Sequence, residues 1–312
     1  MKVVRYEAAQ HRESWDDFLA SSRNGVFLFQ RDYMDYHAER FEDCSLLLLD
    51  DQDRLRGLLP ANRQGSTLHS HAGLTYGGLV LAGDCGQAEV LAMFEAVLVH
   101  LPLLLLDEWR YKCVPAIYHA QPSEDDRYAL FRLGAERYRC DPSSCLSPKD
   151  LMLSGRRKRG LGKARRAALE VREFHDWPAF WSILRENLAS RHDAAPVHDE
   201  TEIALLAARF PRSVRLFGCF DGTRLVAGTV IYDSGHVAHA QYIASTAQGR
   251  EQGALDTLFA TLIGSTFAER PWFDFGISTE DQGRHLNEGL IAFKEGFGAH
   301  TIVHEFFCLK RG

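Results

Sequence analysis

SLLLLDDQDRLRGLLPA, residues 45–61, and VRLFGCFDGTRLVAGTVIY, residues 214–232, carry one pattern twice. Each is an apolar run, an acidic turn, Arg-Leu, and a second apolar run holding a glycine, Gly57 in one copy and Gly228 in the other. Two apolar runs joined by a polar turn predict a β-hairpin, and Asp221-Gly222 supplies the turn residues for the second. Working outward, the order repeats: a strand candidate at residues 67–71 and 236–245, a glycine-containing turn, an amphipathic helix at 87–100 and 253–268, and a strand around 109–117 and 272–277. Both copies close on matching segments, ALFRLGAERYRCDPSSCL from Ala129 and AFKEGFGAHTIVHEFFCL from Ala292. The same order at every step argues for a duplication.

Between the copies lies SPKDLMLSGRRKRGLGKARRAALEVREF from Ser147, then a helical stretch at residues 177–191. Asp141-Pro142 and Ser147-Pro148 punctuate the boundary. The expectation is an α/β chain (α+β, mixed sheet) of two tandem domains, residues 1–150 and 151–312, the second including a basic connecting segment at 151–191.

With 312 residues, 46% hydrophobic and 25% charged, the chain can bury two cores. Its formal net charge of -6 argues against general affinity for nucleic acid or anionic membrane, so any bound anion must be held by a local patch. The N-terminus MKVVRYEAAQHRESWDDF lacks the apolar core of a signal peptide, which leads to the expectation of a cytoplasmic protein. Leucine runs at residues 46–49 and 103–106 fall far short of the roughly 20 residues that span a bilayer. Both read as buried strands, and no membrane span is expected. Seven cysteines without a Cys-x-x-Cys pair read as reduced, mostly buried thiols. His69 with His71 and His236 with His239 lack the second cluster of a metal site, so no metal is expected; on a strand the first pair would share one face.

Hairpin, strand, glycine turn, helix, strand, helix, strand resembles the GNAT acyltransferase fold, and two such units joined by a basic connection resemble its FemABX-like branch. The most specific pieces are SHAGLTYGGLV (residues 70–80), RRKRGLGKARRAAL (156–169) and FDFGISTEDQGRHLNEGLIAFKEGFGA (273–299). The resemblance implies transfer of an acyl group, acetyl or another acyl from coenzyme A, to an amine on a sugar-linked cell-envelope or surface-polysaccharide precursor. Its peptidoglycan-building members transfer aminoacyl groups, which leaves an aminoacyl-tRNA donor as the alternative. A non-catalytic module that senses a nucleotide sugar is a third reading.

Acyl transfer to an amine needs a group to take its proton and donors for the oxyanion. A phosphorylated donor also needs a cationic seat. Arg156, Arg157, Lys158, Arg159, Lys163, Arg165 and Arg166 put seven cations into eleven positions of an acidic protein. If residues 163–170 are helical, Lys163 and Arg166 share a face with Arg159 one turn earlier; Arg159, Lys163, Arg165 and Arg166 are the expected phosphate contacts of the substrate. The glycines there form no P-loop, since Leu161 stands at the lysine position. A second seat is the turn at residues 247–253, where Gln248, Gly249, Arg250 and Gly253 match part of the GNAT pyrophosphate turn before a helix at Ala254. Phe293-Lys294 resembles the family's Phe-Lys pair, which implies that Lys294 stabilises negative charge at the reacting end. For proton transfer, His239 and Tyr242 lie on the strand before that turn. Tyr242 points away from the face of His239. Ser70, His71, Thr75 and Tyr76 are the expected acceptor contacts, in a glycine-rich stretch that allows close backbone approach.

Overall fold

The computed structural model describes residues 1–192 and 196–310. It is a mixed α/β fold in two compact units, one comprising Met1–Asp141, Asp281–Arg284 and the segment from Val303 onward, the other Pro142–Glu280 and His285–Ile302. A single cut at residue 150 does not describe this division. The strand Glu136–Leu146 enters the second unit, where Leu146 and Cys145 pair with Phe273 and Asp274. The C-terminal strand His300–Lys310 returns to the first, where its residues 306–310 pair with Glu108–Lys112. Each matched closing segment is thus a helix and a strand: Asp125–Arg132 before Glu136–Leu146, and Glu288–Glu295 before His300–Lys310.

In the first unit the hairpin Leu46–Leu49 and Leu55–Leu59 forms as the pattern predicts, with Lys2–Arg5 on one edge and Val80–Leu81 on the other. Helix Gln87–His100 turns Val90, Met93, Phe94 and Val97 into a core with Leu46, Leu48, Trp109 and Tyr111. Each such side chain taken from water is worth about 1.5–3 kcal/mol. Among the described residues one stretch, Gln87–Leu104, is long and apolar enough by composition to cross a membrane; its buried residues are this core. The second leucine run is not a strand. Pro102 holds a short helical turn, Leu105 takes a left-handed conformation, and Leu103 and Leu105 are exposed, with only Leu106 buried. Strand Thr67–His69 lies between Asn62–Gln64 and Glu108–Lys112, and His71 follows at φ 53, so the histidines at 69 and 71 share no strand face.

In the second unit the hairpin Val214–Asp221 and Arg224–Asp233 is flanked by Glu170–Glu173 and by Val237–Ser245, which runs parallel to Trp272–Ile277. Helix Ala254–Thr261 continues into a π turn, Leu262–Thr266, filling the helix expected at 253–268. Its Leu258 and Phe259 meet Phe217, Phe273, Phe275 and Phe297 in the core. Helix Trp177–His192 brings Phe180 against Gly228 and Trp181 against Tyr242.

Candidate functional site

The basic segment forms a helix over Gly155–Arg166, started by Ser154, whose hydroxyl accepts from the Arg157 amide. It does not reach residue 170. Ala168, at φ 52, turns the chain into the edge strand Glu170–Glu173. Arg157 is the buried anchor: it pairs with Asp256 and its guanidinium lies 4.7 Å from the Phe293 ring centroid. Burial pushes the Asp256 carboxyl up, against the pull of Arg157. Two glycines permit this closeness. A side chain on Gly160 would overlap the Asp256 carboxylate, and one on Gly253, at φ 77, would overlap the Gly160 carbonyl.

With Arg157 fixed inward, Arg156, Arg159 and Lys163 line a cavity of about 690 Å³, a volume typical of small-molecule sites. Arg165 and Arg166 do not line it, because the helix turns them elsewhere. Arg156, part of the cationic run but not of the four expected contacts, does. The lining also takes in Arg250, Gly253 and the first turn of Ala254–Thr261, where the Gly253 carbonyl accepts from the Asp256 and Thr257 amides. The segment 247–253 is itself helical: Ala247–Gln252 is capped by Thr246, whose Oγ1 accepts the Gly249 amide. The expected open turn is therefore replaced by two short helices that meet at Gly253. Gln248 is drawn out of it, donating to Asp221 at 2.8 Å, while Arg250 donates to the Ser245 carbonyl at 2.7 Å. Of the four expected donor contacts, the cavity gathers Gly249, Arg250 and Gly253.

The other wall is the far end of Val237–Ser245, residues 243–245, with Asn187. This strand pairs with Trp272–Ile277 only at Val237↔Trp272, Ala238↔Phe273 and His239↔Asp274. Beyond that junction the two strands part, and Gly276, at φ 78, marks the departure. Among the described residues no strand pairs with this edge beyond the junction; at its cavity end Asn187 takes up both the Ser245 amide and its carbonyl, which leaves the backbone before Ser245 as the open stretch.

Phe293 lines the cavity, but Lys294 points inward from it, 1% exposed, donating to the Gly276 and Ile277 carbonyls at 2.7 Å each. Burial pushes its ammonium down to about 8. His239 Nδ1 lies 2.8 Å from Asp274 Oδ2. Tyr242, as periodicity implies, is elsewhere: its hydroxyl is 2.5 Å from His198 Nδ1, and burial pushes its pKa up to about 12.

In the first unit Ser70 and Tyr76 are buried, the Tyr76 ring tilted against that of Tyr118 with centroids 4.3 Å apart, and Thr75 is half-buried. Lys112 gathers the loop by donating to the His71 and Leu74 carbonyls, and burial pushes its pKa down to about 7. His71 lines a cavity of about 540 Å³ with Arg31, Asp35 and Asp43; burial pushes its imidazole down to about 3. All seven cysteines are free thiols, and among the described residues no group of three or more His, Cys, Asp or Glu converges as a metal site.

Residues 154–284 match the acetyltransferase (GNAT) domain family. No curated protein matches the sequence. In fold the chain is similar to FemX (TM-score 0.66, 11% identity, covering 99% of this chain and 97% of that one). It is also similar to L-PGS from Bacillus licheniformis (0.62, 12%, 96% and 92%). A third likeness is to a tandem GNAT protein of the clavulanic acid biosynthesis pathway, solved without AcCoA (0.54, 14%, 100% and 98%). Residues 154–284 thus match the GNAT acetyltransferase domain family, and along its length the chain has the fold of FemX and of the tandem GNAT protein.

Proposed function

We propose that this chain is an N-acyltransferase whose donor, acetyl-CoA or another acyl-CoA, binds in the second unit's cavity and acylates an amine of a sugar-linked cell-envelope or surface-polysaccharide precursor. The observation that carries the reading is the convergence of Arg156, Arg159, Lys163 and Arg250 on one cavity beside an open strand edge, in a protein of net charge -6. Four cations lining one cavity suit a ligand with more than one phosphate. These residues would hold the diphosphate of the carrier, and the open edge would take its amide-bearing arm. Bound there, the thioester supplies the electrophilic carbonyl. The acceptor class rests on the family resemblance, and acceptor recognition is assigned to the stretch containing Ser70, His71, Thr75 and Tyr76. A cytoplasmic setting agrees with a nucleotide-activated precursor.

A second reading has its own support. The fold likeness to FemX and L-PGS, and the cations Lys158, Arg165 and Arg166 left outside the cavity, favour an aminoacyl-tRNA donor. Thermal shift against acetyl-CoA and against charged tRNA separates the two. Stabilisation by acetyl-CoA alone supports the first reading; stabilisation by charged tRNA with none from any acyl thioester replaces it with the second.

A further inference from the structure

The junction where the two parallel strands part holds a polar cluster in an otherwise apolar layer. Asp274 is fully buried, and its Oδ1 accepts from Ser143 Oγ at 2.7 Å and from the Gly276 amide at 2.9 Å. Lys294 acts on the same carboxylate electrostatically. Two donors thus treat Asp274 as an acceptor, and the Lys294 charge favours its carboxylate form. The group opposite Oδ2, His239 Nδ1 at 2.8 Å, is then the donor, and the ring's lone pair sits on Nε2.

Gly276 bears on the same nitrogen. A Cβ at that position would sit 3.2 Å from His239 Cε1 and 3.9 Å from Nε2, so the glycine leaves the ring's outer edge clear. His239 is the last residue of its strand to pair with Trp272–Ile277, and residues 243–245 of the same strand reach the cavity wall. The titratable and charged groups around the imidazole are Asp274 on the neighbouring strand, Lys294 behind it, Cys145 beside Asp274, and Tyr232 across the strand pair.

We infer that His239 is the general base of the transfer and that Asp274, held by Ser143 and the Gly276 amide, is the residue that fixes its tautomer, an inference that rests on the acyltransferase reading above. As the amine attacks, a C–N bond forms and the carbonyl electrons move to oxygen. The amine proton passes to Nε2. The carbonyl then re-forms, the C–S bond breaks, and the imidazolium returns its proton to the departing thiolate.

The test uses acetyl-CoA as donor, with glucosamine, free and as its uridine diphosphate conjugate, as acceptor. His239→Asn keeps a side-chain amide to donate to Asp274, so the junction should hold. Its kcat should fall about 10²- to 10⁴-fold, the range for a removed general base, with acetyl-CoA affinity unchanged and the rising limb of the kcat–pH profile lost. Ser143→Ala, the milder perturbation if Asp274→Asn fails to fold, should displace that limb while leaving acetyl-CoA affinity alone; a merely structural strut would leave the limb in place. A His239→Asn protein within about 3-fold of wild-type kcat, with the same profile, overturns the dyad and leaves the acyltransferase reading standing. If the wild-type protein transfers nothing to these amines from acetyl-CoA or from aminoacyl-tRNA, the acyltransferase reading itself is overturned.

Discussion

Lys294→Met gives a prediction whose size can be worked from the structure. The ammonium is buried beneath two carbonyls, those of Gly276 and Ile277, and burial lowers it from the ordinary 10.5 to about 8. In the unfolded chain the lysine keeps its proton up to the ordinary value. Between these two values the unfolded state holds the proton and the folded state does not, so stability rises with pH across the window. At about 1.4 kcal/mol per pH unit the gain is about 3 kcal/mol. Methionine removes the buried charge, which relieves a cost of that size at pH 7, but it bares two buried carbonyls at about 1–3 kcal/mol each. The two effects nearly cancel at neutral pH, and the variant should lie within about 3 kcal/mol of wild type. At pH 10 the wild-type protein alone has collected most of its gain. Urea unfolding followed by circular dichroism at pH 7 and pH 10 should therefore show the gap widening in favour of wild type by about 2–3 kcal/mol. Other groups that titrate in this window, Lys112 among them, are common to both proteins and drop out of the difference. A gap that stays constant to within about 0.5 kcal/mol would refute the buried, charged placement of Lys294.

Further outcomes follow from other contacts. His71, at φ 53 and held neutral with its pKa near 3, should make the protein lose stability as pH falls below about 6.5. Asn tolerates that backbone, so His71→Asn should unfold less readily than wild type at pH 5 relative to pH 7 in the same urea assay. Gly160→Ala forces Asp256 from Arg157 and should cost about 3–5 kcal/mol, the range for a broken buried pair, despite alanine's better helix propensity. Arg165→Ala with Arg166→Ala, side chains outside the cavity, should leave acetyl-CoA affinity unchanged by calorimetry, and so should Gln248→Ala, whose partner is Asp221.

The two hairpins and the helix Gln87–His100 were legible because apolar period and turn chemistry agree there. The second leucine run was not, since composition alone hides the left-handed Leu105 that carries its neighbours outward. Nor does helix propensity announce the end of the basic helix: Ala167 and Ala168 read as good helix formers, yet Ala168 turns left-handed. The cationic seat was readable as a charge run, but which cations enter it depends on Arg157 finding Asp256 far along the chain. For that reason Arg156 lines the cavity while Arg165 and Arg166 do not. Likewise Asp221 claims Gln248 through a contact between a hairpin turn and a helix. His239 could be named from the sequence, whereas the strand junction that pairs it with Asp274 could not.

The central claim is that the cavity of the second unit is a seat for a phosphorylated acyl donor. Isothermal titration of acetyl-CoA into the wild-type protein and into the Arg156→Ala, Arg159→Ala, Lys163→Ala triple variant tests it most directly. These cations are exposed, so each should contribute about 1 kcal/mol and be screened by salt. The account predicts saturable binding by wild type, weakened at least about 100-fold in the folded variant and weakened also in wild type as salt is raised. Equal affinity of the two proteins, or no binding of acetyl-CoA by either, would contradict it.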